Sequence, residues 1–284
     1  MHDFTYTCAH SLNEAITLLN EPGLQSCVLA GGTDLLVQIR GGSIPFDRVV
    51  DVTRVPELKT IQANERITIG AAVTFTQLIE SPLLQARAPL LVQACREIGS
   101  AQIRNTGTIG GNVANAAACA DSIPALVCLD AEAIIATANG EQRMPITELV
   151  AEPHKNKLPP GALIRAFTFT PQPENSRATF ERIGRRRAMA IARLSLAAMG
   201  ALGADGKIAW VRLAPGAAFA TFRRAHSVEE MLLGQQPCNE LFVRAGHRMV
   251  ELFMAESGSR WSAEWKVKAL AALTERALRR TVGE

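Results

Sequence analysis

The sequence has no long apolar run and no leader-like beginning. No stretch approaches the roughly 18 consecutive apolar residues that a membrane-spanning helix needs. The first residues, Met1–Phe4, carry neither the basic region nor the apolar stretch of a secretory signal peptide. We therefore expect a protein without a membrane span that is located in the cytoplasm.

Motifs for metal binding and nucleophilic catalysis are also missing. The six cysteines form no C-x-x-C pair, and none lies near a histidine at the spacing of a zinc site. The five histidines are scattered and suggest no Ser-His-Asp or Cys-His arrangement. We therefore expect reduced cysteines, no metal site and no iron–sulfur cluster in this chain.

Aromatic residues are few, with one tyrosine and three tryptophans. The strongest run of charge is Arg185–Arg187. A nucleic-acid-binding surface needs more basic residues with aromatic residues between them, so we predict no nucleic-acid partner. A basic triplet is usually a solvated face, and attraction of an anionic ligand or an acidic partner subunit is the alternative.

Charge and length indicate more than one domain. The chain has 284 residues, which exceeds the usual size of a single domain. Residues 1–170 have a net charge of −4 and residues 171–284 a net charge of +7. The proline-containing segment 170–176 lies between them and has the composition of a linker. We predict domains at 1–171, with lobes at about 1–55 and 56–171, and at 177–284.

Local patterns predict a mixture of helices and strands. Ser11–Glu14 fits a capping box and predicts a helix through Asn20. Apolar and alternating runs predict strands over 26–30, 48–53, 66–70, 131–137, 163–169, 178–183, 191–199 and 208–213. The remaining helices are predicted over 33–40, 74–80, 90–98, 121–129, 239–256 and 262–280.

Two short glycine loops are the most informative feature of the chain. They are Ala30–Leu35 (AGGTDL) and Thr108–Asn112 (TIGGN). Glycine lets backbone N–H groups approach a ligand, and successive N–H groups in a turn form a concave anion site. Two such loops suit the two phosphates of a dinucleotide. Neither loop fits a P-loop or the Rossmann fingerprint.

Two acidic residues near these loops have a simpler alternative role. Asp34 follows the first glycine pair and can cap the helix predicted after it. Asp121 begins another predicted helix and can act as a cap in the same way. A carboxylate at either position can instead accept hydrogen bonds from ligand hydroxyls.

The longer motifs resemble the FAD-binding subunits of the molybdenum hydroxylases. The resemblance rests on AGGTD at 30–34 and QIRNTGTIGGN at 102–112, and continues at Asn115, 121–126, 180–187 and 259–261. It covers essentially the whole chain. It implies an α+β fold, with a two-lobed FAD-binding domain of the vanillyl-alcohol-oxidase type followed by an α+β C-terminal domain.

The resemblance also implies which residues contact FAD, which would be bound without a covalent link. Backbone of the first loop and residues of the second would grip the diphosphate between the lobes. Asp121 would bond the sugar hydroxyls, whereas Ile164 and Arg182 would lie near the flavin ring. Ile98 stands where some relatives have an aromatic residue over that ring. The predicted contacts are Leu29, Ala30, Gly31, Gly32, Thr33, Asp34, Leu35, Thr108, Gly110, Gly111, Asn112, Asn115, Asp121, Ile164 and Arg182.

The function implied by the resemblance is electron transfer within a larger complex of the xanthine dehydrogenase type. The expected partners are a 2Fe-2S subunit and a molybdopterin subunit, with NAD or another molecule as electron acceptor. Transfer between flavin and nicotinamide needs no separate acid or base, so we assign no catalytic side chain. The alternative is a stand-alone flavin oxidoreductase of the same FAD-binding superfamily.

Overall fold

The computed structural model describes residues 4–42, 46–186, 189–257 and 263–283. The chain divides into two compact units. The first comprises 1–80, 100–117 and 130–170, and the second comprises 81–99, 118–129 and 171–284. The domain boundaries proposed from sequence, 1–171 and 177–284, stay a prediction.

In the described part of the chain, the strands form three sheets and one small two-stranded ladder. They are β1 (Thr5–Cys8), β2 (Ser26–Leu29), β3 (Arg48–Asp51), β4 (Ile61–Ala63), β5 (Ile67–Gly70), β6 (Glu132–Thr137), β7 (Gly140–Pro145), β8 (Val150–Glu152), β9 (Lys155–Asn156), β10 (Leu163–Phe169), β11 (Arg177–Gly184), β12 (Ala192–Leu202) and β13 (Ile208–Gly216).

Twelve α-helices lie within the described ranges, together with a 3₁₀ turn at Pro56–Leu58. The helices are α1 (Leu12–Leu19), α2 (Leu35–Arg40), α3 (Phe75–Glu80), α4 (Pro82–Arg87), α5 (Pro89–Arg96), α6 (Ala101–Thr106), α7 (Ile109–Asn115), α8 (Ser122–Cys128), α9 (Ile146–Leu149), α10 (His226–Leu232), α11 (Asn239–Ser257) and α12 (Ala263–Thr281). None of them is long and apolar enough to cross a membrane.

The first unit contains a parallel sheet in the order β1-β3-β2 and an antiparallel sheet in the order β4-β5-β10-β6-β7. Val50 and Val28, on one face of the parallel sheet, pack with Ala15 and Ile16 of α1 in one apolar cluster. α1 begins where the sequence predicted, because Ser11 accepts a hydrogen bond from the Glu14 backbone N–H at 3.1 Å. This packing fixes the carboxyl end of β2, from which the first glycine loop emerges.

The second unit contains the antiparallel sheet β11-β12-β13 and the long helices α11 and α12. Alternate residues of the sheet, including Leu194, Leu196 and Leu213, share a core with Met249 and Phe253 of α11 and with Leu270 and Leu278 of α12. The period of two along a strand puts these residues on one face. On β11, the side chains of the adjacent residues Glu181 and Arg182 point to opposite faces of the sheet and contact different partners.

Candidate functional site

The first glycine loop leaves β2 with several backbone donors unused. Gly32 has a φ of +68°, a left-handed conformation that suits glycine. For Gly31, Gly32, Thr33 and Asp34, no backbone N–H donates a hydrogen bond to another described residue. Consecutive N–H groups without an internal acceptor form an anion-binding concavity. This observation fits a phosphate-bearing ligand at the loop.

The capping role considered for Asp34 is wrong. Asp34 stands at the N-cap position of α2, but its side chain makes no capping hydrogen bond and is exposed. α2 itself has no buried residue. The carboxylate of Asp34 is therefore available at the rim of the loop, and its contact with a ligand stays a prediction.

The second glycine segment is not an open loop, and that interpretation is wrong. It is the first turn of α7, with Thr108 as N-cap. The N–H of Gly111 donates to Thr108 Oγ1 at 3.1 Å, and the N–H of Gly110 donates to the Ala71 carbonyl at 2.9 Å. The N–H of Asn112 donates to the Thr108 carbonyl at 3.0 Å. These backbone donors are already used inside the protein.

Close packing explains two of the glycines. A Cβ on Gly31 would lie 2.0 Å from the carbonyl oxygen of Thr106, just before the second glycine segment. A Cβ on Gly110 would lie 2.5 Å from the Cβ of Ala71. No side chain fits at either distance, so glycine is required at 31 where the first loop meets Thr106, and at 110 where α7 meets Ala71. The two glycine segments therefore lie against each other within the first unit.

Gly111 and Asn115 of α7 do not share the packing of Gly110 against Ala71. A Cβ on Gly111 would meet only Thr108 Oγ1, at 3.0 Å, and the residue is exposed. Asn115 accepts a hydrogen bond from Gln38 of α2 at 3.4 Å, which links α7 to the helix that follows the first loop. Gly111 thus presents an open surface next to that link.

The remaining predicted residues of the first unit are half-buried or buried. Thr33 is half-buried beside Gly32, as are Leu29, Ala30 and Leu35. Ile164 lies in β10 and is only 5% exposed. The neighbouring Arg165 carbonyl accepts the Ala71 N–H at 2.9 Å, and Ala71 in turn accepts from Gly110. A contact of Ile164 with the flavin ring stays a prediction.

Asp121 and Arg182 form an ion pair in the second unit. Arg182 Nε donates to Asp121 Oδ2 at 3.0 Å, and the two side chains, Arg182 and Asp121, are 7% and 5% exposed. Asp121 precedes α8 but makes no capping hydrogen bond, so the simpler capping role is wrong. Its second oxygen, Oδ1, is buried without a hydrogen-bond partner among the described residues. The Ser195 hydroxyl also donates a hydrogen bond to this carboxylate, which opposes the rise in the pKa of Asp121.

Near pH 7, the Asp121 carboxyl is partly protonated and partly ionised. Burial is the main cause of a rise in the pKa of Asp121 to about 7. The Arg182 guanidinium opposes that rise, whereas the charge of Glu97 adds to it. The buried Cys95 thiol lies nearby, and its pKa is raised by burial and by Asp121. Sequence reasoning missed Glu97 and Cys95, because neither belongs to a motif.

Glu181, next to Arg182 on β11, has a different environment. Successive side chains on a strand point to opposite faces. Glu181 is buried and pairs with Arg280 and, at 2.7 Å, with Arg276, both on α12. Thr179 also donates to it at 3.1 Å. Glu181 is therefore part of the attachment of α12 to the sheet.

Part of the arginine run lies beyond β11. Arg185 and Arg186 are exposed, and Arg186 Nη2 donates to the Met189 carbonyl at 2.6 Å. Arg187 lies outside the described residues, as does the segment 259–261 of the sequence resemblance. Ile98 is half-buried. All six cysteines are free thiols, as predicted.

Comparison with protein families assigns almost the whole chain. Residues 2–172 match the model described as "FAD binding domain in molybdopterin dehydrogenase", and residues 179–281 match "CO dehydrogenase flavoprotein C-terminal domain". The chain belongs to the FAD-binding subunits of the molybdenum hydroxylases. The family resemblance, the α+β fold and FAD as cofactor, all predicted from sequence, are thereby confirmed.

Individual relatives of this FAD-binding subunit agree with that assignment. It is 32% identical over 286 residues to the xanthine dehydrogenase FAD-binding subunit of Escherichia coli O157:H7, covering 99% of this chain and 97% of the relative. It is 28% identical to the nicotinate dehydrogenase FAD-subunit of Eubacterium barkeri, covering 82% of this chain and 81% of the relative. These proteins are subunits of oxidoreductases, and so is this chain.

A solved structure gives the same result for the fold. A chain of carbon monoxide dehydrogenase from Hydrogenophaga pseudoflava superposes on this FAD-binding subunit with a TM-score of 0.91 and 25% identity. The match covers 98% of this chain and 97% of the other. Within the first unit, the free N–H groups of the first loop fit a ligand with phosphates.

Proposed function

We propose that this subunit carries electrons within a molybdenum hydroxylase of the xanthine dehydrogenase type. Electrons would arrive from 2Fe-2S clusters of a partner subunit and leave to NAD or another acceptor. Membership of the family supports this proposal, as does the 32% identity to a xanthine dehydrogenase FAD-binding subunit. The observation that carries it is the first glycine loop, with four consecutive N–H groups free of internal acceptors among the described residues.

The residues proposed to hold FAD divide into two groups by the way they act. Backbone N–H groups of Gly31 to Asp34 would bind phosphate oxygens directly. The second segment has its donors occupied, so the exposed Gly111 would contribute close backbone approach rather than hydrogen bonds, whereas Gly110 is buried against Ala71. Thr108, Asn112 and Asn115 complete the proposed set. The bound flavin supplies the electron transfer, and the protein holds it and adjusts its surroundings.

The proposed partners are a 2Fe-2S subunit and a molybdopterin subunit. Relatives of this chain are named as subunits or medium chains of dehydrogenases. No group of three or more metal-ligating side chains occurs within the described ranges. Hydroxylation of an organic substrate would therefore take place on another chain, and this chain would exchange electrons only.

We also propose that the complex works in the cytoplasm. The six cysteines are free thiols, which is typical of a reducing compartment. Fractionation of the native cell, followed by detection of this chain, tests the proposal. Recovery of the chain outside the cytoplasmic fraction would contradict it.

Native mass spectrometry and absorption spectroscopy of the protein from its own cell test the function. We expect a heteromeric assembly with a flavin spectrum and with iron–sulfur absorption contributed by a partner. A flavin-loaded monomer without companions at mild salt would favour the stand-alone oxidoreductase. A preparation without visible absorption would contradict both flavoprotein functions.

An activity assay adds a second test of this division of labour. The FAD-loaded subunit should pass electrons from NADH to an artificial dye, because that reaction needs only flavin and access for nicotinamide. It should not turn over purines, aldehydes or carbon monoxide. Oxidation of such a substrate by this chain alone would overturn the proposal.

A further inference from the structure

Gln38 of α2 joins the first glycine loop to α7. Its side-chain Nε2 donates a hydrogen bond to Asn115 Oδ1 at 3.4 Å, and both residues are half-buried. The backbone N–H of Gln38 donates to the Asp34 carbonyl at 3.1 Å, so Gln38 lies one helical turn after the last residue of the free N–H run. The side-chain bond therefore connects α7 to the turn of helix that follows this run.

The backbone of α7 is held at both of its ends. At the first end, the Ile109 N–H donates to the Val73 carbonyl at 3.1 Å. At the other end, the Ala116 carbonyl accepts a hydrogen bond from the His154 N–H at 2.8 Å. Because these bonds fix the helix itself, the direction of the Asn115 amide depends on what that side chain contacts.

The Asn115 amide has its oxygen engaged and its nitrogen unused. Oδ1 accepts the bond from Gln38, whereas Nδ2 donates to no residue within the described ranges. The amide carries its acceptor on the oxygen and both of its donors on the nitrogen, so holding the oxygen also fixes the direction of the donors. Gly111 lies four residues earlier on the same face of α7 and is exposed. Asn115 therefore offers N–H donors beside the open surface at Gly111.

We propose that Gln38 is a positioning residue that orients the Asn115 amide, so that Asn115 Nδ2 donates to a phosphate oxygen of FAD. This inference rests on the proposed function, which includes Asn115 among the residues that hold FAD. Without the donor on Gln38, the amide is free to turn over and present its oxygen, and an acceptor cannot bond a phosphate oxygen. Gln38, Asn115 and the first loop all belong to the first unit.

A double-mutant cycle on FAD affinity tests this role in the complex purified with its own subunits and stripped of flavin. Gln38→Met keeps the length of the side chain and removes the donor, and it should weaken FAD binding about threefold to tenfold. Asn115→Ala should weaken binding at least as much. The double variant should bind like Asn115→Ala alone, because Gln38 acts only through Asn115. Gln38→Ala repeats the cycle if Gln38→Met fails to fold.

The matched control is Gln62→Met, at an exposed position of β4 in the same unit, which should bind FAD like the parent. Thermal unfolding without FAD identifies any variant that fails to fold. If Gln38→Met weakens binding by the same factor with and without Asn115, its role is structural and the inference is overturned. Unchanged affinity in Asn115→Ala would overturn both this inference and the proposed Asn115 contact. The expected cycle in a chain that purifies without an iron–sulfur partner would support the positioning role and contradict the proposed electron transfer.

Discussion

Gly31 lies so close to Thr106 that a Cβ atom on the glycine would be 2.0 Å from the threonine carbonyl oxygen. This contact joins the turn after β2 to the segment before α7. It explains why residue 31 is a glycine. A glycine can be required either by close packing or by ligand binding. The variants described next distinguish these two causes.

Gly31→Ala should destabilise the first unit by about 1–3 kcal/mol, because backbone must move to admit the methyl group. Urea unfolding of the purified chain measures this effect. Gly111→Ala is the matched control, since its methyl would meet only Thr108 Oγ1 at 3.0 Å and alanine favours a helix. Equal unfolding midpoints for Gly31→Ala and the parent would refute the packing explanation.

Gly111→Val should remove bound flavin while the fold persists. Gly111 is exposed in the first turn of α7, and a branched side chain there would cover the surface proposed to face the diphosphate. We expect FAD affinity to fall at least about tenfold, the effect of losing roughly 1.4 kcal/mol. Flavin absorbance per protein gives the occupancy, and circular dichroism gives the fold. Full occupancy with unchanged affinity would show that the phosphates lie elsewhere.

Glu181→Gln should destabilise the second unit without changing flavin content. The carboxylate is buried, but Arg276 and Arg280 are 49% and 60% exposed, so solvent screens the pairs. We expect a loss of about 1–3 kcal/mol, measured by denaturant unfolding. Glu174→Gln, an exposed position in the preceding segment, is the control. A loss of flavin in Glu181→Gln with no loss of stability would contradict this structural role of Glu181.

Neutralising Arg185, Arg186 and Arg187 together should weaken the NADH reaction more than FAD binding. Exposed positive charge attracts an anionic dinucleotide, and salt screens that attraction. Steady-state kinetics at two ionic strengths should show a smaller salt effect in the triple variant than in the parent. If the NADH rate is unchanged, the run is a solvated face, and the FAD assignment is unaffected.

Sequence patterns predicted elements well where the cause is local. Ser11 and Glu14 lie on one helical turn, and their capping bond depends on nothing distant. The apolar run at 163–169 coincides with β10, because a central strand is apolar on both faces. β1 was missed, since Thr5–Cys8 is half-exposed and lacks a regular apolar alternation.

Tertiary packing decided one element that sequence patterns predicted wrongly. Two adjacent glycines disfavour a helix by propensity, so 108–112 resembled a loop. The segment is helical because Thr108 caps it and Gly110 packs against Ala71. Propensity differences of about 1 kcal/mol are easily exceeded by such packing.

The sequence by itself determined the family, the cofactor and the pair of glycine segments, because short motifs indicate them and can be recognised from the order of residues alone. Only the tertiary structure decided which segment keeps free N–H groups, and that Arg182 pairs with Asp121. The reason is physical. A hydrogen bond between residues 61 positions apart depends on how strands and helices pack, and no local pattern records that packing.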